Sequence, residues 1–346
     1  MSGSVQRSRE LDAVRGMAAV LVVLFHYTVR YGELFGDSAA PFHATYGFLG
    51  VHVFFGVSGF VILMTLERCR TPWDFVHARA LRLYPAYWTA LVLTFAVLLA
   101  FPLQGRTPDW QQGLVNLTML QAFVNVPHID GAYWSLEVEL VFYAWMLAVF
   151  VAGWMKHARW LIVLWLALSL GILVAARLLH RSVPTLADRY LLVEYSAFFG
   201  IGAAAYLDFR GMRVTRGTWG LFALATATAW LSTGLQGLLV AAAMVLLFSL
   251  IVWRKAALLS TPLLVFLGTV SYPLYLLHQN IGYVIIQRMR SHGFAYGSAI
   301  LIAFGVSLAV ATAVTFGVER PVQRRVRLWR ERRLSRGRAL DAARPS

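Results

Sequence analysis

The first apolar segment of the chain carries two ionisable side chains, Arg15 and His26, on one helical face. They are eleven residues apart, and at about 100° per residue this spacing returns to nearly the same direction after three turns. The rise between them is about 16 Å, roughly half of a ~30 Å hydrocarbon core. Ionisable groups inside membrane spans are costly and are functional candidates. We predict Arg15 at the membrane surface and His26 near the midplane, where an imidazole can accept a proton.

A later apolar segment contains Ser135, Glu139 and Tyr143 at positions i, i+4 and i+8, which fall on one face of a helix. Glu137 points roughly 160° away from Glu139 on the same helix. The two carboxylates therefore cannot act as the paired acids of a glycosidase. We predict that Glu139, the deeper of the two, is catalytic and that Glu137 faces head groups or another helix.

A third polar stripe lies closer to the C-terminus. Ser271, Tyr275 and His278 follow one another at i, i+4 and i+7 in an otherwise apolar segment. Two interpretations remain open for each of these side chains. They form hydrogen bonds between helices, or they contact a substrate.

A basic segment precedes the third apolar run and holds four arginines between residues 68 and 82. The preference of cytoplasmic loops for positive charge accounts for most of them. Arg82 stands apart because it adjoins Tyr84, where the segment enters the membrane. A planar guanidinium group suits phosphate recognition, so we predict Arg82 as a binding residue.

Several common kinds of site are excluded by the sequence. The single Cys69 cannot form a disulfide framework or a multi-thiolate metal site. The chain has no HExxH or CxxC motif, and we predict no metal. Neither a P-loop nor a GxGxxG motif precedes a helix, so ATP hydrolysis and dinucleotide chemistry have no support.

The composition requires a membrane around these residues. Apolar residues make up 59% of the 346 residues and charged residues 14%, against about 25% charged in an ordinary globular domain. A soluble chain could not bury so much apolar surface, and a disordered chain would combine low hydrophobicity with high charge. The net charge of +15 comes from arginines scattered in short runs between apolar stretches, so a nucleic-acid-binding protein is excluded.

We predict an all-α integral membrane protein with about ten transmembrane helices. Most basic residues fall in alternate connecting segments and at the two ends, so the positive-inside rule places both termini in the cytoplasm. Residues 1–320 form the transmembrane domain, and residues 321–346 form a basic, disordered cytoplasmic tail. The predicted spans are 13–29, 46–66, 83–103, 134–153, 160–179, 190–207, 217–233, 235–253, 262–287 and 295–317.

Taken together, these residues resemble the acyltransferase 3 family of bacterial membrane O-acyltransferases. The family pattern R-x10-H falls on Arg15 and His26, and the pattern W-S-L-x-x-E falls on residues 134–139 and ends at Glu139. Six matching strings occur in order along almost the whole chain. They are RELDAVRGMAAVLVVLFHY at 9–27, FFGVSGF at 54–60, RALRLYPAYW at 79–88, WSLEVELVFY at 134–143, SYPLYLLH at 271–278 and VERP at 318–321.

The resemblance implies transfer of an acyl group, often acetyl, from cytoplasmic acyl-CoA to a hydroxyl of a cell-envelope sugar or a secondary metabolite, in the bacterial plasma membrane. It implies no bound cofactor, because acyl-CoA is the donor substrate. On this interpretation Arg15 and Arg82 hold the CoA phosphates and His26 takes the hydroxyl proton. Glu139 orients the imidazolium or the acceptor. The other polar residues contact the substrates or line the acceptor path, and they are Ser135, Tyr143, Ser271, Tyr275 and His278.

The alternative function is a transporter of a lipid-linked sugar or acyl group, because His and Glu inside spans also suit proton coupling. Transporters often have matching broken helices in two repeated halves, and the sequence contains no such repeat. A non-catalytic membrane scaffold is the third class. The cost of burying Arg15, His26 and Glu139 argues against it.

Overall fold

Helices provide the regular structure of this protein. The computed structural model describes residues 9–37 and 39–329, and within these ranges it contains α-, 3-10 and π-helices and no strand. The prediction of an all-α protein is confirmed. The α-helices are α1 (Arg9–Phe25), α2 (Tyr31–Phe35), α3 (Gly50–Leu66), α4 (Pro72–Ala100), α5 (Trp110–Asn116), α6 (Trp134–Val151), α7 (Ala158–Leu178), α8 (Thr185–Leu191), α9 (Ser196–Phe209), α10 (Arg216–Val252), α11 (Pro262–Ser291) and α12 (Tyr296–Val314).

Eight helical segments of the described ranges are long and apolar enough to cross a membrane. One of them, α10, is broken at Thr233 and Gly234, where Gly234 has a φ of 65° that glycine adopts without steric cost. This break falls between the predicted spans 217–233 and 235–253. α11 has 30 residues, but it is more polar than the eight because residues 278–280 are His, Gln and Asn.

The start of α4 differs from the prediction. The helix begins at Pro72, about three turns before the predicted span. The Thr71 side chain accepts a hydrogen bond from the backbone N–H of Asp74, and the Asp74 carboxylate accepts one from the backbone N–H of Thr71. This capping box, with proline at the first helical position, is a strong helix start. Arg79 and Arg82 therefore lie on a helix and not in a loop.

Pro85 lies inside α4 without ending it. Proline has no N–H, so the carbonyl of Leu81 one turn earlier loses its usual donor. The Nε2 group of Gln323 donates to the Leu81 oxygen at 3.3 Å. The helical segment after α12 thus supplies the missing bond and ties the end of the chain to α4.

A close helix contact joins α1 to α11. Gly16 of α1 faces Gly268 of α11, and a β-carbon at either position would collide with the backbone of the other helix. Small residues at such a crossing let two backbones approach each other. The contact sets the face of α1 that bears Arg15 and His26 toward α11. α12 packs against α11 as well, and α3, α9 and α10 pack together beside α1.

Two π-helical segments extend long helices. His26–Arg30 follows α1, and Thr315–Glu319 follows α12. Such segments are rare and often occur at functional sites. Each contains a polar residue that faces the protein interior, His26 in the first and Glu319 in the second.

The predicted disordered tail begins too early. The chain remains helical after Glu319 through residue 329, so residues 321–329 are helical. Three of these nine residues are arginines, which are good helix formers, and none is glycine. Residues 330–346, the rest of the predicted tail, lie outside the described residues.

Candidate functional site

Helices α1, α3, α4, α6 and α11 surround a pocket. Phe and Val side chains of α3 form most of its apolar wall, and all five helices contribute polar groups. These polar groups comprise three guanidinium groups, one carboxylate and the hydroxyls of Ser and Tyr residues. They belong to Arg15, Ser58, Arg79, Arg82, Ser135, Glu139, Tyr143, Tyr272 and Tyr275.

The pocket gathers predicted residues from four distant segments. Arg15 comes from α1, Arg82 from α4, Glu139 from α6 and Tyr275 from α11. Because three cations face one anion among the lining residues, the pocket favours a ligand with negative charge. The other predicted lining residues, placed on α6, are Ser135 and Tyr143.

Glu139 is held by two hydroxyl donors. The Ser58 Oγ donates to Glu139 Oε1 at 2.6 Å, and the Tyr143 Oη donates to the same oxygen at 2.5 Å. Glu137 on the same helix points elsewhere, and its carboxylate lies 3.4 Å from the guanidinium of Arg189. The predicted divergence of the two carboxylates is therefore present, because the helix is continuous from residue 134 to residue 151.

Arg82 forms an ion pair with Glu319 of the second π segment. Its guanidinium also lies 5.0 Å from the centre of the Tyr272 ring. The Glu319 carboxylate is buried and accepts a further hydrogen bond from Gln323 Nε2 at 3.2 Å. Arg82 therefore enters the pocket in a fixed orientation. Glu319 was not predicted as a site residue, because 237 residues separate it from Arg82 in the sequence.

Arg79 also lines the pocket, although the sequence predicted it to be one of the positive charges of a cytoplasmic loop. Its Nη2 donates to Thr65 Oγ1 at 3.2 Å, and its guanidinium lies 5.8 Å from the centre of the Tyr143 ring. The buried Nε–H of Arg79 has no hydrogen-bond partner among the residues that the structure describes. The spacing of Arg79 and Arg82 at i and i+3 was the available signal, since it places both on one face of a helix.

Tyr275 connects the pocket to a second group of polar residues. Its hydroxyl lies 2.8 Å from Ser135 Oγ inside the pocket. The centre of its ring lies 5.7 Å from the centre of the His278 ring. Tyr275 thus lies between the arginines and the histidines.

The two predicted histidines meet beyond Tyr275. His278 Nε2 lies 3.2 Å from His26 Nδ1, and the two ring centres are 4.8 Å apart. His278 is fully buried, whereas His26 is partly exposed. Neither ring lines the pocket of the arginines. No hydrogen bond joins His26 to Glu139 in the described structure, so the neighbour of the imidazole is His278 and not the predicted carboxylate.

Ser271 does not take part in either group. Its hydroxyl donates to the carbonyl oxygen of Gly268 at 2.8 Å on its own helix, and it is absent from the pocket lining. The predicted stripe of α11 is therefore divided. Tyr275 faces the pocket, His278 contacts His26, and the Ser271 hydroxyl bonds to the backbone of its own helix.

A second set of residues beside the histidines escaped the sequence analysis. The Asn280 backbone N–H donates to Asp130 Oδ2 at 3.0 Å, and Arg106 donates to Asn280 Oδ1 at 2.8 Å. Asp130 precedes α6, outside the membrane-spanning segments, and burial raises the pKa of its carboxyl to about 6. Asp130 also accepts a hydrogen bond from Ala132 N at 2.9 Å, and an Asp just before a helix is a sequence signal for such a cap.

The arrangement provides two chemical capacities. The guanidinium groups can bind phosphate oxygens in a planar geometry, and the imidazole of His26 can accept a proton. Within residues 9–37 and 39–329, no group of three or more His, Cys, Asp and Glu side chains is placed to hold a metal ion.

Comparison with known proteins identifies the relatives of this chain. The Exopolysaccharide production protein ExoZ of Rhizobium meliloti (strain 1021) is 28% identical over 191 residues, which cover 52% of this chain and 55% of ExoZ. The O-acetyl transferase of Shigella phage Sf6 is 26% identical over 222 residues, covering 58% of this chain and 64% of the phage protein. The Acyltransferase MdmB of Streptomyces mycarofaciens is 27% identical over 153 residues, covering 41% and 39%.

In each case the chain spans less than two thirds of the relative's own length. No solved structure matches the chain. The sequence profile of the acyltransferase 3 family, described as an acyltransferase domain, matches residues 8–318. This match covers nearly the whole chain and confirms the resemblance carried by the six sequence strings, so the protein belongs to the acyltransferase 3 family of membrane proteins.

Proposed function

We propose that this protein is a membrane-bound O-acyltransferase that moves an acyl group, acetyl in the first instance, from acyl-CoA to a hydroxyl. The observation that carries the proposal is the connection of an arginine-lined pocket to a histidine pair through Tyr275. One end of such a site can hold an anionic donor, and the other can take a proton from the acceptor. Family membership supports acyl transfer over the transporter alternative.

The donor is proposed to bind through its phosphates at the arginines. Arg15, Arg79 and Arg82 approach one pocket from two helices, and the buried Nε–H of Arg79 has no partner within residues 9–37 and 39–329. A phosphate oxygen would satisfy this donor and gain a charge-assisted hydrogen bond. CoA then serves as a substrate, and no bound cofactor is required.

The reaction is proposed to be a direct transfer. His26 takes the hydroxyl proton while the acceptor oxygen forms a bond to the acyl carbonyl carbon. The carbon–sulfur bond of the thioester breaks, and the CoA thiolate leaves with the proton from His26. Tyr275 contacts His278 and shares a hydrogen bond with Ser135, and the two hydroxyls would donate to the thioester oxygen as negative charge develops there. Glu139 holds the pocket together through Ser58 and Tyr143.

The acceptor is proposed to be a hydroxyl of a cell-envelope sugar or a secondary metabolite. ExoZ is named for exopolysaccharide production, and the phage Sf6 protein is named an O-acetyl transferase. The name of MdmB states acyl transfer without an acceptor. These names favour a carbohydrate as the first class of acceptor to test.

We propose ten crossings of the bacterial plasma membrane with both termini in the cytoplasm. The break at Gly234 divides the 37 residues of α10 into two segments, and the 30 residues of α11 are long enough to cross. The excess of basic residues in alternate connecting segments supports this orientation. It places the start of α4, with Arg79 and Arg82, on the side where acyl-CoA is made.

A deletion strain tests the proposed function. Envelope glycans and exported metabolites would be compared by mass spectrometry between the deletion strain, its complement, and a strain complemented with His26→Ala. We expect one acyl increment to be lost in the deletion, restored by the wild-type gene and not restored by His26→Ala at equal protein level. His52→Ala is the matched control, because His52 is buried on α3 outside the pocket. Identical glycans and metabolites in all strains would contradict the proposal.

A further inference from the structure

The hydrogen bonds of the two histidines define which ring nitrogen carries each proton. His278 Nδ1 lies 2.7 Å from the carbonyl oxygen of Tyr275, and His26 Nδ1 lies 2.9 Å from the carbonyl oxygen of Val22. A carbonyl oxygen only accepts, so each Nδ1 must be an N–H donor. In the neutral imidazoles each Nε2 then holds a lone pair.

The contact between the rings follows from this assignment. The Nδ1–H of His26 is shared between Val22 and His278 Nε2, which lies 3.2 Å away. The lone pair of His278 is thereby engaged, and its ring is fully buried. His26 Nε2 has no hydrogen-bond partner in the described structure, and the His26 side chain is partly exposed. The free lone pair of this pair of rings is at His26 Nε2.

We propose that His278 is a positioning residue for His26, which makes His26 Nε2 the atom that accepts the hydroxyl proton. This inference rests on the proposed acyl transfer and deepens it. When Nε2 takes the proton, the Nδ1–H of the resulting imidazolium becomes a stronger donor, and His278 Nε2 stabilises it as the orienting group of a catalytic triad does. His278 itself exchanges no proton with either substrate and returns unchanged at the end of the cycle.

The surroundings of the pair support a fixed geometry. The Tyr27 Oη donates to the backbone carbonyl of His278 at 2.8 Å and lies 2.8 Å from Ser307 Oγ of α12. Tyr27 and Ser307 are buried. The backbone of α11 at His278 is thus held to the first π segment, and through Tyr27 to α12, independently of the imidazole. A substitution of the ring can therefore remove its hydrogen bond while these backbone contacts remain.

Steady-state kinetics in lipid nanodiscs test the positioning role. We expect His278→Leu to lower kcat by about 10²-fold, within the range for a general base, and to leave KM for acyl-CoA within about twofold, because the arginine pocket is intact. His278→Gln should recover part of kcat, since its amide oxygen can accept the His26 Nδ1–H. His52→Leu is the control for replacing a buried histidine on a membrane helix, with unchanged kcat expected.

A double variant distinguishes action through His26 from a separate effect. If His278 acts only through His26, the variant carrying both His26→Ala and His278→Leu should be no slower than His26→Ala alone. Multiplying losses would contradict the proposal, and so would wild-type kcat in His278→Leu. A wild-type protein that transfers no acyl group would instead contradict the proposed function.

A spectroscopic measurement is independent of activity. Nitrogen-15 solid-state NMR of histidine-labelled protein in lipid distinguishes protonated from unprotonated ring nitrogens. The chain has nine histidines, and the spectra of His26→Asn and His278→Gln assign the two of interest by difference. We expect both neutral rings to carry hydrogen on Nδ1. A proton on Nε2 of neutral His26 would overturn the assignment of the base atom even in an active enzyme.

Discussion

The arginine pocket and the histidine pair differ in the charge of the groups that surround them. In the pocket, charged side chains predominate, and one of them, Arg82, forms an ion pair with Glu319. At the histidine pair the two rings contact backbone carbonyls and each other, and in the described part of the chain neither ring bonds to a carboxylate. Each end also contains one of the two π segments. The difference fits the proposed division of labour, since binding phosphates needs fixed positive charge and a base needs a free lone pair.

The two regions nevertheless share the helices that carry their side chains. α1 contributes Arg15 to the pocket. His26, which directly follows α1, belongs to the histidine pair. α11 contributes Tyr272 and Tyr275 to the pocket and His278 to the pair. The glycine contact between α1 and α11 therefore sets the register of both ends at once. Substitutions that leave this contact intact can disturb one end alone.

The largest expected effect concerns the histidine end. His26→Ala removes the proposed base and should lower the rate of acyl transfer by about 10²–10⁴-fold, while acyl-CoA affinity stays near that of the wild type. Transfer is measured by mass spectrometry of the product, and donor affinity by calorimetry on the same preparation. Wild-type turnover in a folded His26→Ala protein would remove the base assignment.

A second expected effect concerns the stability of the pocket. Arg82→Ala leaves the buried Glu319 carboxylate without its cation. Such a change typically lowers the free energy of unfolding by about 3–5 kcal/mol. We expect a lower thermal unfolding temperature together with weaker acyl-CoA binding. The double variant with Arg82→Met and Glu319→Gln should recover the unfolding temperature without recovering donor binding. Recovery of both would mean that Arg82 serves stability alone.

Glu139 and Glu137 provide the next comparison, because they share α6 and differ in surroundings. Glu139→Gln weakens the acceptor for Ser58 and Tyr143 and removes the carboxylate that faces the arginines, so we expect activity to fall by about 10–10²-fold. Glu137→Gln breaks only the contact with Arg189 and should retain most activity. Both variants are assayed at matched protein levels. Greater loss at Glu137 would reverse the assignment of the face that meets the site.

The smallest effect is expected at Arg79. Arg79→Gln removes one charge from the pocket and should weaken acyl-CoA binding by about tenfold, as expected for one charge-assisted hydrogen bond. Arg70→Gln is the matched control, because Arg70 is exposed just before the same helix. Binding is measured by calorimetry at two salt concentrations. Equal affinity in both variants would place the CoA phosphates away from Arg79.

Much of the pocket was predictable from helical spacing. Arg82, Glu139 and Tyr275 were selected because each is a polar residue in or next to an apolar helix, and they line one pocket. Ser271 shows the limit of this reasoning, because a serine inside a helix can bond to its own backbone. Arg79 was not predicted because basic residues between two apolar runs are typical of a cytoplasmic loop. The capping box at Thr71, which starts α4 before this segment, was not recognised in the sequence.

The amino-acid sequence alone determined the class of protein and the directions of its side chains. Apolar runs of the length of a bilayer dictate membrane helices, and the 3.6-residue period fixes which polar groups share a face, as for Arg15 with His26. Which faces meet was decided only by the tertiary structure. The pairing of His26 with His278 joins residues 252 positions apart, and that of Arg82 with Glu319 joins residues 237 apart. Such contacts depend on helix packing and on the two π segments, which no local pattern in the sequence specifies.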